Sequence, residues 1–221
     1  MTVDFLYDNT IELLQPEMTG EQALRIMGDT YSRALPMVDV DNKLQAMVTE
    51  DIILSQDLDL RLESMSIPAV FPALNVKHHF IDALRVMGQT RMDVLPVVDD
   101  KLYYQGAVSP ISIMEFLSDS GSLDARGTTL LLEMKHIDYS MSEISRIVES
   151  EKAKILSSFI FSDQAADILQ LSLKLNVADA RHVVATLERF GYKVFDFSMA
   201  AAERDDLMRD RIDSFLSYLD I

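Results

Sequence analysis

Laid on itself with an offset of sixty residues, the first half of the chain repeats without a gap. Ala23-Leu24-Arg25-Ile26-Met27-Gly28 falls on Ala83-Leu84-Arg85-Val86-Met87-Gly88, and Thr30 falls on Thr90. In the same register Leu35-Pro36-Met37-Val38-Asp39 meets Leu95-Pro96-Val97-Val98-Asp99, and Gln45-Ala46-Met47-Val48-Thr49 meets Gln105-Gly106-Ala107-Val108-Ser109. Self-similarity at a fixed period means one supersecondary unit built twice, so the fold must seat two related copies.

Each copy reads as strand, helix, strand, strand, helix. In copy one Thr19 can cap a helix whose apolar residues Ala23, Leu24, Met27 and Tyr31 recur at helical spacing, with Glu21 suiting the positive end of its dipole. Ala34 to Asp39 and Leu44 to Thr49 form a hairpin across the turn residues Asp41-Asn42. A second helix is expected from about Glu50 to Leu58, with Ile52, Ile53 and Leu54 facing inward. Copy two repeats the pattern as Phe80 to Gln89, Val94 to Asp99, Leu102 to Ser109 and Ile111 to Leu117. Leading strands are expected near Ile11 to Leu14 and Ala69 to Phe71.

The polar, glycine-bearing run from Ser118 to Gly127 has the composition of a linker. Beyond it the order changes to strand Thr128–Met134, helix Ser140–Glu151, strand Ile155–Phe161, a turn over Asp163–Asp167, an alternating strand Ile168–Leu173, helix Ala178–Phe190 closed by Gly191, and strand Tyr192–Phe197. A β-α-β-β-α-β order specifies an antiparallel sheet with both helices on one face. Met208, Ile212, Phe215 and Leu219 then fall on one apolar helix face. The expected layout is α+β: copy one over residues 1–60, copy two over 61–120, a linker at 121–127, a ferredoxin-like domain at 128–198 and an amphipathic helix at 199–221.

The repeat motifs carry a resemblance. A-L-x-x-M in the first helix, L-P-V-V-D on the hairpin and a V-[TS] step into the last helix, present twice, resemble a tandem pair of cystathionine-β-synthase (CBS) domains. That resemblance implies a regulatory protein, not an enzyme, with adenosine-containing ligands such as AMP, ADP, ATP, NAD or S-adenosylmethionine held in clefts between the copies, and no required cofactor. The later segment Val183-Val184-Ala185-Thr186-Leu187-Glu188-Arg189-Phe190-Gly191-Tyr192-Lys193-Val194 resembles the second helix and last strand of an ACT domain, a resemblance that covers roughly residues 128 to 197 and implies amino-acid sensing. A CBS pair followed by such a domain is similar in layout to the acetoin-utilisation AcuB-type proteins.

In the CBS family a Thr or Ser at the end of the third strand holds phosphate and an Asp three residues later holds ribose. Here copy one reads Val48-Thr49-Glu50-Asp51-Ile52, with Asp51 two residues after Thr49. Copy two reads Val108-Ser109-Pro110-Ile111-Ser112, with Ser112 where the carboxylate belongs. The candidate ligand-binding residues are Arg33, Pro36, Thr49, Asp51, Pro96, Ser109 and Ser112. Helix capping explains Thr49 and Ser109 as readily as ligand contact does. Arg33 supplies a cation near copy one, whereas its repeat mate Asp93 would repel phosphate. The ACT ligand loop, Asp-x-Pro-Gly in that family, reads Asp138-Tyr139-Ser140-Met141, so a folded but ligand-free module stands beside a sensor.

Composition removes several alternatives. Twenty Lys and Arg stand against 36 Asp and Glu, a formal charge of −16, which opposes binding a polyanionic nucleic acid. No cysteine is present, so disulfides and thiolate chemistry are excluded. No apolar run approaches the roughly 20 residues of a membrane helix, and the start of the chain lacks a basic signal-peptide region. The expectation is a soluble, cytoplasmic protein without a membrane partner. His78-His79 points two ways on a helix and lacks ligand spacing, His136 and His182 are single, and no phosphate loop, G-x-S-x-G or H-E-x-x-H motif occurs. The repeat and the apolar tail together predict a homodimer. The competing reading is an oligomeric interaction scaffold whose sites have lost their ligands.

Overall fold

Thr19 starts the first helix as expected, because its hydroxyl accepts from Gln22 N while Gln22 Oε1 accepts from Thr19 N, a reciprocal capping box. The computed structural model describes residues 1–124, 126–163 and 167–196. Within it the chain divides into two units, Met1–Leu117 and Ser118–Ile221.

In the first unit copy one comprises α1 (Gly20–Asp29), the antiparallel hairpin β1 (Ala34–Val38) and β2 (Leu44–Thr49), and α2 (Glu50–Leu54). Copy two comprises β3 (Leu74–Asn75), α3 (Phe80–Thr90), β4 (Leu95–Val98), β5 (Tyr104–Val108) and α4 (Pro110–Ser118). Here β3 runs parallel to β4, and β4 pairs antiparallel with β5. The repeat extends to backbone conformation. Tyr31 and Arg91 share a left-handed φ of 53° and 56°, and Asn42 and Leu102 share 63° and 68°.

The copies meet through repeat mates. Ala34, Met47, Val94 and Ala107 form one buried cluster, and Val38, Leu44 and Val98 form another. Leu44 N donates to Leu102 O and Tyr104 N donates to Asn42 O, each at 2.9 Å. The segment preceding each copy packs on the other one. The 3₁₀ turn Val3–Leu6 puts Val3 and Leu6 into the core of copy two with Leu74, Leu95 and Val97. The 3₁₀ turn Leu62–Ser64 puts Leu62 into the core of copy one, joined there by Met65, beside Leu14, Leu35 and Val48.

Three expectations change. The leading strand of copy two forms at Leu74–Asn75, not at Ala69–Phe71, since Pro68 and Pro72 bracket that stretch and proline cannot donate to a ladder. The leading strand of copy one reduces to a single parallel bridge between Leu14 and Met37. The second helix of copy one stops at Leu54, where Ser55 Oγ and Gln56 Nε2 both donate to Ile52 O. In so short a helix Ile53 is buried but Leu54 is 58% exposed, so Leu54 does not face inward.

The second unit contains a short helix α5 (Gly121–Asp124) and then β6 (Thr128–Lys135), α6 (Met141–Ser150), β7 (Ile155–Asp163), β8 (Ile168–Leu175), α7 (Arg181–Arg189) and β9 (Lys193–Asp196). The antiparallel sheet has the order β7-β8-β6-β9. Leu130, Leu132, Leu169, Leu171 and Leu173 point to one face, where Ile144 and Ile147 of α6 and Val183 and Leu187 of α7 cover them. Ser140 caps α6 by accepting from Glu143 N. Gly191 takes the expected left-handed conformation at φ 89°, which lets the chain leave α7 and enter β9. Helix α7 begins three residues later than expected, because the Asp179 carboxylate accepts from Arg181 N and holds the preceding turn. The turn at residues 164–166 and the expected helix carrying Met208, Ile212, Phe215 and Leu219 lie outside the described residues.

Candidate functional site

In each copy a hydroxyl residue stands between the last strand and the following helix, Thr49 as the last residue of β2 and Ser109 just after β5. In copy one Thr49 Oγ1 accepts from Ile52 N at 3.3 Å. In copy two Ser109 and Ser112 close a reciprocal pair: Ser112 N donates to Ser109 Oγ at 3.1 Å, and Ser109 N donates to Ser112 Oγ at 3.0 Å. Both serines are buried, whereas Thr49 is half-buried.

What faces these hydroxyls differs between the copies. Ser109 Oγ donates to Asp8 Oδ2 at 2.5 Å. Asp8 is anchored there, since its own N donates to Ala107 O at 2.8 Å and its Oδ1 accepts from Thr10 N and Thr10 Oγ1. Burial pushes the Asp8 carboxyl up, but the hydrogen bonds from Ser109 and Thr10 outweigh it and hold the group below its ordinary value. Next to Asp8, Tyr7 lies on Gly106, where an added Cβ would stand 2.8 Å from its ring. Burial, reinforced by Tyr7 and Asp8, pushes the Tyr104 phenol up to about 12. The end of copy two is thus filled by residues from the beginning of the chain.

Copy one receives a different segment. Met65 comes to lie over Gly20, with its Cε 2.7 Å from where a Cβ would be. Glu63 in this segment pairs with Arg61 at 3.6 Å. Asp51 lies in the first turn of α2 and is exposed. Pro36 is buried in β1 opposite Met47, and Pro96 is buried in β4 opposite Ala107. Arg33 O accepts from Glu50 N, and Arg33 N donates to Asp93 Oδ2 at 2.7 Å. Arg33 lines a cavity of about 450 Å³ with Leu24, Met27, Tyr31, Glu50 and Leu54. The repeat-equivalent cavity of copy two, about 490 Å³, is lined by Leu84, Met87, Arg91, Asp93, Pro110 and Met114 among others.

The sequence reading missed Asp8, Tyr7 and Tyr104. One signal was available: Gly106 interrupts the strand where copy one has Ala46, and an isolated glycine in a strand marks a close approach. The histidine pair has a structural use, with His79 capping α3 by accepting from Ile81 N and His78 Nδ1 accepting from Asn75 N. Among the described residues no group of His, Asp and Glu side chains could hold a metal ion, and no helix is long and apolar enough to cross a membrane.

The second unit has a cavity of about 450 Å³ lined by Glu133, Asp138, Tyr139, Ser140, Glu143, Tyr192 and neighbouring residues. Tyr192 Oη donates to Glu143 Oε2 at 3.0 Å, and its own phenol is pushed up to about 12, first by burial and then by Glu143. Lys193 Nζ pairs with Glu133 at 2.7 Å.

The family model for the CBS domain matches residues 9–59, so copy one carries a CBS domain. No curated protein matches the chain. Among solved structures, the chain is similar to a CBS domain pair/ACT domain protein of Thermotoga maritima, at 21% identity over 53% of this chain and 96% of that one, with a TM-score of 0.48. It is similar also to the CBS domains of a transcriptional regulator from Streptococcus pneumoniae, at 16% identity over 52% of this chain and 98% of that one, TM-score 0.47. A CBS-pair protein of Arabidopsis thaliana follows at 18% identity, 52% of this chain and 93% of that one, TM-score 0.46.

Proposed function

We propose that this protein is a regulatory ligand-sensing module, without catalysis of its own, that binds an adenosine-containing nucleotide at copy one. The carrying observation is the CBS-domain match over residues 9–59, which spans Arg33, Pro36, Thr49 and Asp51. The hydroxyls support the same copy. Among the described residues Thr49 Oγ1 donates to no carboxylate, whereas Ser109 Oγ donates to Asp8. Phosphate and ribose are recognised by hydroxyl donors, backbone N–H groups and carboxylates, the groups that Thr49 and Asp51 offer.

The module acts as a homodimer. Leu54 on copy one, and Ile81, Leu84, Ile111 and Met114 on copy two, are large apolar side chains left exposed on the helices of the first unit, with Tyr31 exposed in the turn after α1. Exposed apolar side chains in such number support association. The second unit is read as an ACT-like domain, with the cavity beside Asp138-Tyr139-Ser140 as its place for an amino acid.

Thermal denaturation with AMP, ADP, ATP, NAD and S-adenosylmethionine in turn tests the reading. A ligand at a hundredfold over its Kd stabilises the native state by about 2.7 kcal/mol, and Thr49→Val should reduce that shift. Amino acids titrated in the same way test the second unit. Light scattering on the same samples should give twice the mass of one 25.0 kDa chain. No shift with any nucleotide favours the scaffold reading, which the filled end of copy two also supports.

A further inference from the structure

We propose that Asp8 is a built-in occupant that closes copy two to anionic ligands, leaving the module a single nucleotide site per chain. This rests on the copy-one reading for the identity of the ligand, but the closure itself stands on the geometry of copy two.

Residues 1–8 belong to copy two by packing and not by sequence order. Val3 and Leu6 are fully or almost fully buried in its core, Val3 N donates to His78 O, and Asp8 N donates to Ala107 O one strand position before Val108. Tyr7 forms an isolated bridge with Val108 and covers Gly106. The carboxylate of Asp8 is therefore delivered by a fixed backbone, not by a free surface side chain.

Its contacts consume the groups an anion would need. Ser109 Oγ gives its one proton to Asp8 Oδ2 and accepts from Ser112 N, so the hydroxyl has no donor left for a phosphate oxygen. Pro110, the first residue of α4, has no N–H to offer. A phosphate approaching this end meets a carboxylate that its hydrogen bonds keep ionised, and like charges at one site repel. Copy one lacks the equivalent block. The residue sixty positions after Asp8 is Pro68, which carries no carboxylate, and Thr49 Oγ1 accepts from Ile52 N and donates to no other described residue.

Equilibrium dialysis of the full chain against AMP decides the matter, using the native sequence, Thr49→Val, Asp8→Ala and the double variant. The native chain should bind one AMP and Thr49→Val about tenfold more weakly or none. Asp8→Ala should bind two, and the double variant one, at copy two. If the native chain binds one and the double variant none, the closure by Asp8 is overturned and the copy-one reading stands. If the native chain binds none and the double variant one, the copy-one reading falls and the closure stands. Absence of binding in all four overturns both. Should Asp8→Ala fail to fold by circular dichroism, Asp8→Ser, also small and neutral, carries the same arms with the same outcomes.

Discussion

Copy one and copy two share a backbone but not a site. The positions that hold the copies together are filled by repeat mates: Ala34 with Val94, Met47 with Ala107, Val38 with Val98. The positions that lead to the two capping hydroxyls match less well: Ala46 stands against Gly106, and Arg33 against Asp93. Within that interface the volumes compensate, the small Ala34 and Ala107 clustering with the larger Val94 and Met47, because cores are close-packed and feel a change of a single methylene. No such constraint couples the two strand ends, so one is free to become an internal contact while the other stays open.

Gly106→Ala attacks that difference most directly. The new Cβ would sit 2.8 to 2.9 Å from the ring atoms of Tyr7, closer than side chains tolerate, so the ring and the segment behind it must shift. Overpacking of this kind costs about 1–3 kcal/mol. The expected result in urea denaturation is a lower midpoint, together with earlier proteolytic cutting near the start of the chain. The reciprocal change, Ala46→Gly, should cost about 0.5–1 kcal/mol through the unfolded chain and the weakened strand, with no change in cutting there. An unchanged midpoint for Gly106→Ala would mean that Tyr7 does not pack as described.

Most of the fold was legible because it depends on local pattern. The Thr19 cap, the hairpins and the Gly191 turn each involve residues within a few positions of one another, and the sixty-residue register showed the hairpin twice. The candidate site was legible only in part. Thr49 and Ser109 could be found from their place at the strand ends, and Ser112 from its spacing, but their partners could not. Asp8 stands 101 positions before Ser109, and nothing local reveals that Val3 and Leu6 carry it across to the other copy. The misplaced strand at Ala69–Phe71 adds a long-range cause to its flanking prolines, since that stretch precedes copy two in sequence but Met65, Ile67 and Phe71 pack with copy one.

The tyrosines sharpen the comparison in alkaline solution. Tyr104 stands where copy one has the buried Leu44, and its phenol is pushed up to about 12. A tyrosine whose folded pKa lies above its unfolded value of about 10 favours the native state fully below pH 10, and that contribution is lost as pH rises through 12. Tyr192 in the second unit behaves likewise. The chain has seven tyrosines and no tryptophan, so tyrosinate absorbance reads them cleanly. Two should ionise about two pH units late while the chain is folded, and Tyr104→Phe should remove one of them. If Tyr104→Phe leaves the late component unchanged, Tyr104 is not shielded and the end of copy two is more open than its contacts indicate.

The smallest effect expected concerns the turn that both copies build with a left-handed residue. Copy one uses Asn42 at φ 63°, a residue that tolerates this conformation and whose Nδ2 also donates to Tyr104 O at 2.9 Å. Copy two uses Leu102 at φ 68°, where a leucine pays for the same backbone with steric strain and, being 47% exposed, recovers little through burial. The backbone is held there because Leu102 O accepts from Leu44 N and Leu102 N donates to Asp99 O, bonds that any residue can make. Leu102→Asn should therefore raise stability by about 1 kcal/mol, and Asn42→Leu should lower it by at least as much, since it adds strain and removes the bond to Tyr104. Chemical denaturation of the two variants side by side checks both signs. If Leu102→Asn destabilises the chain, the leucine side chain makes a contact worth more than the strain it imposes, and the two turns are less alike than their backbone angles make them.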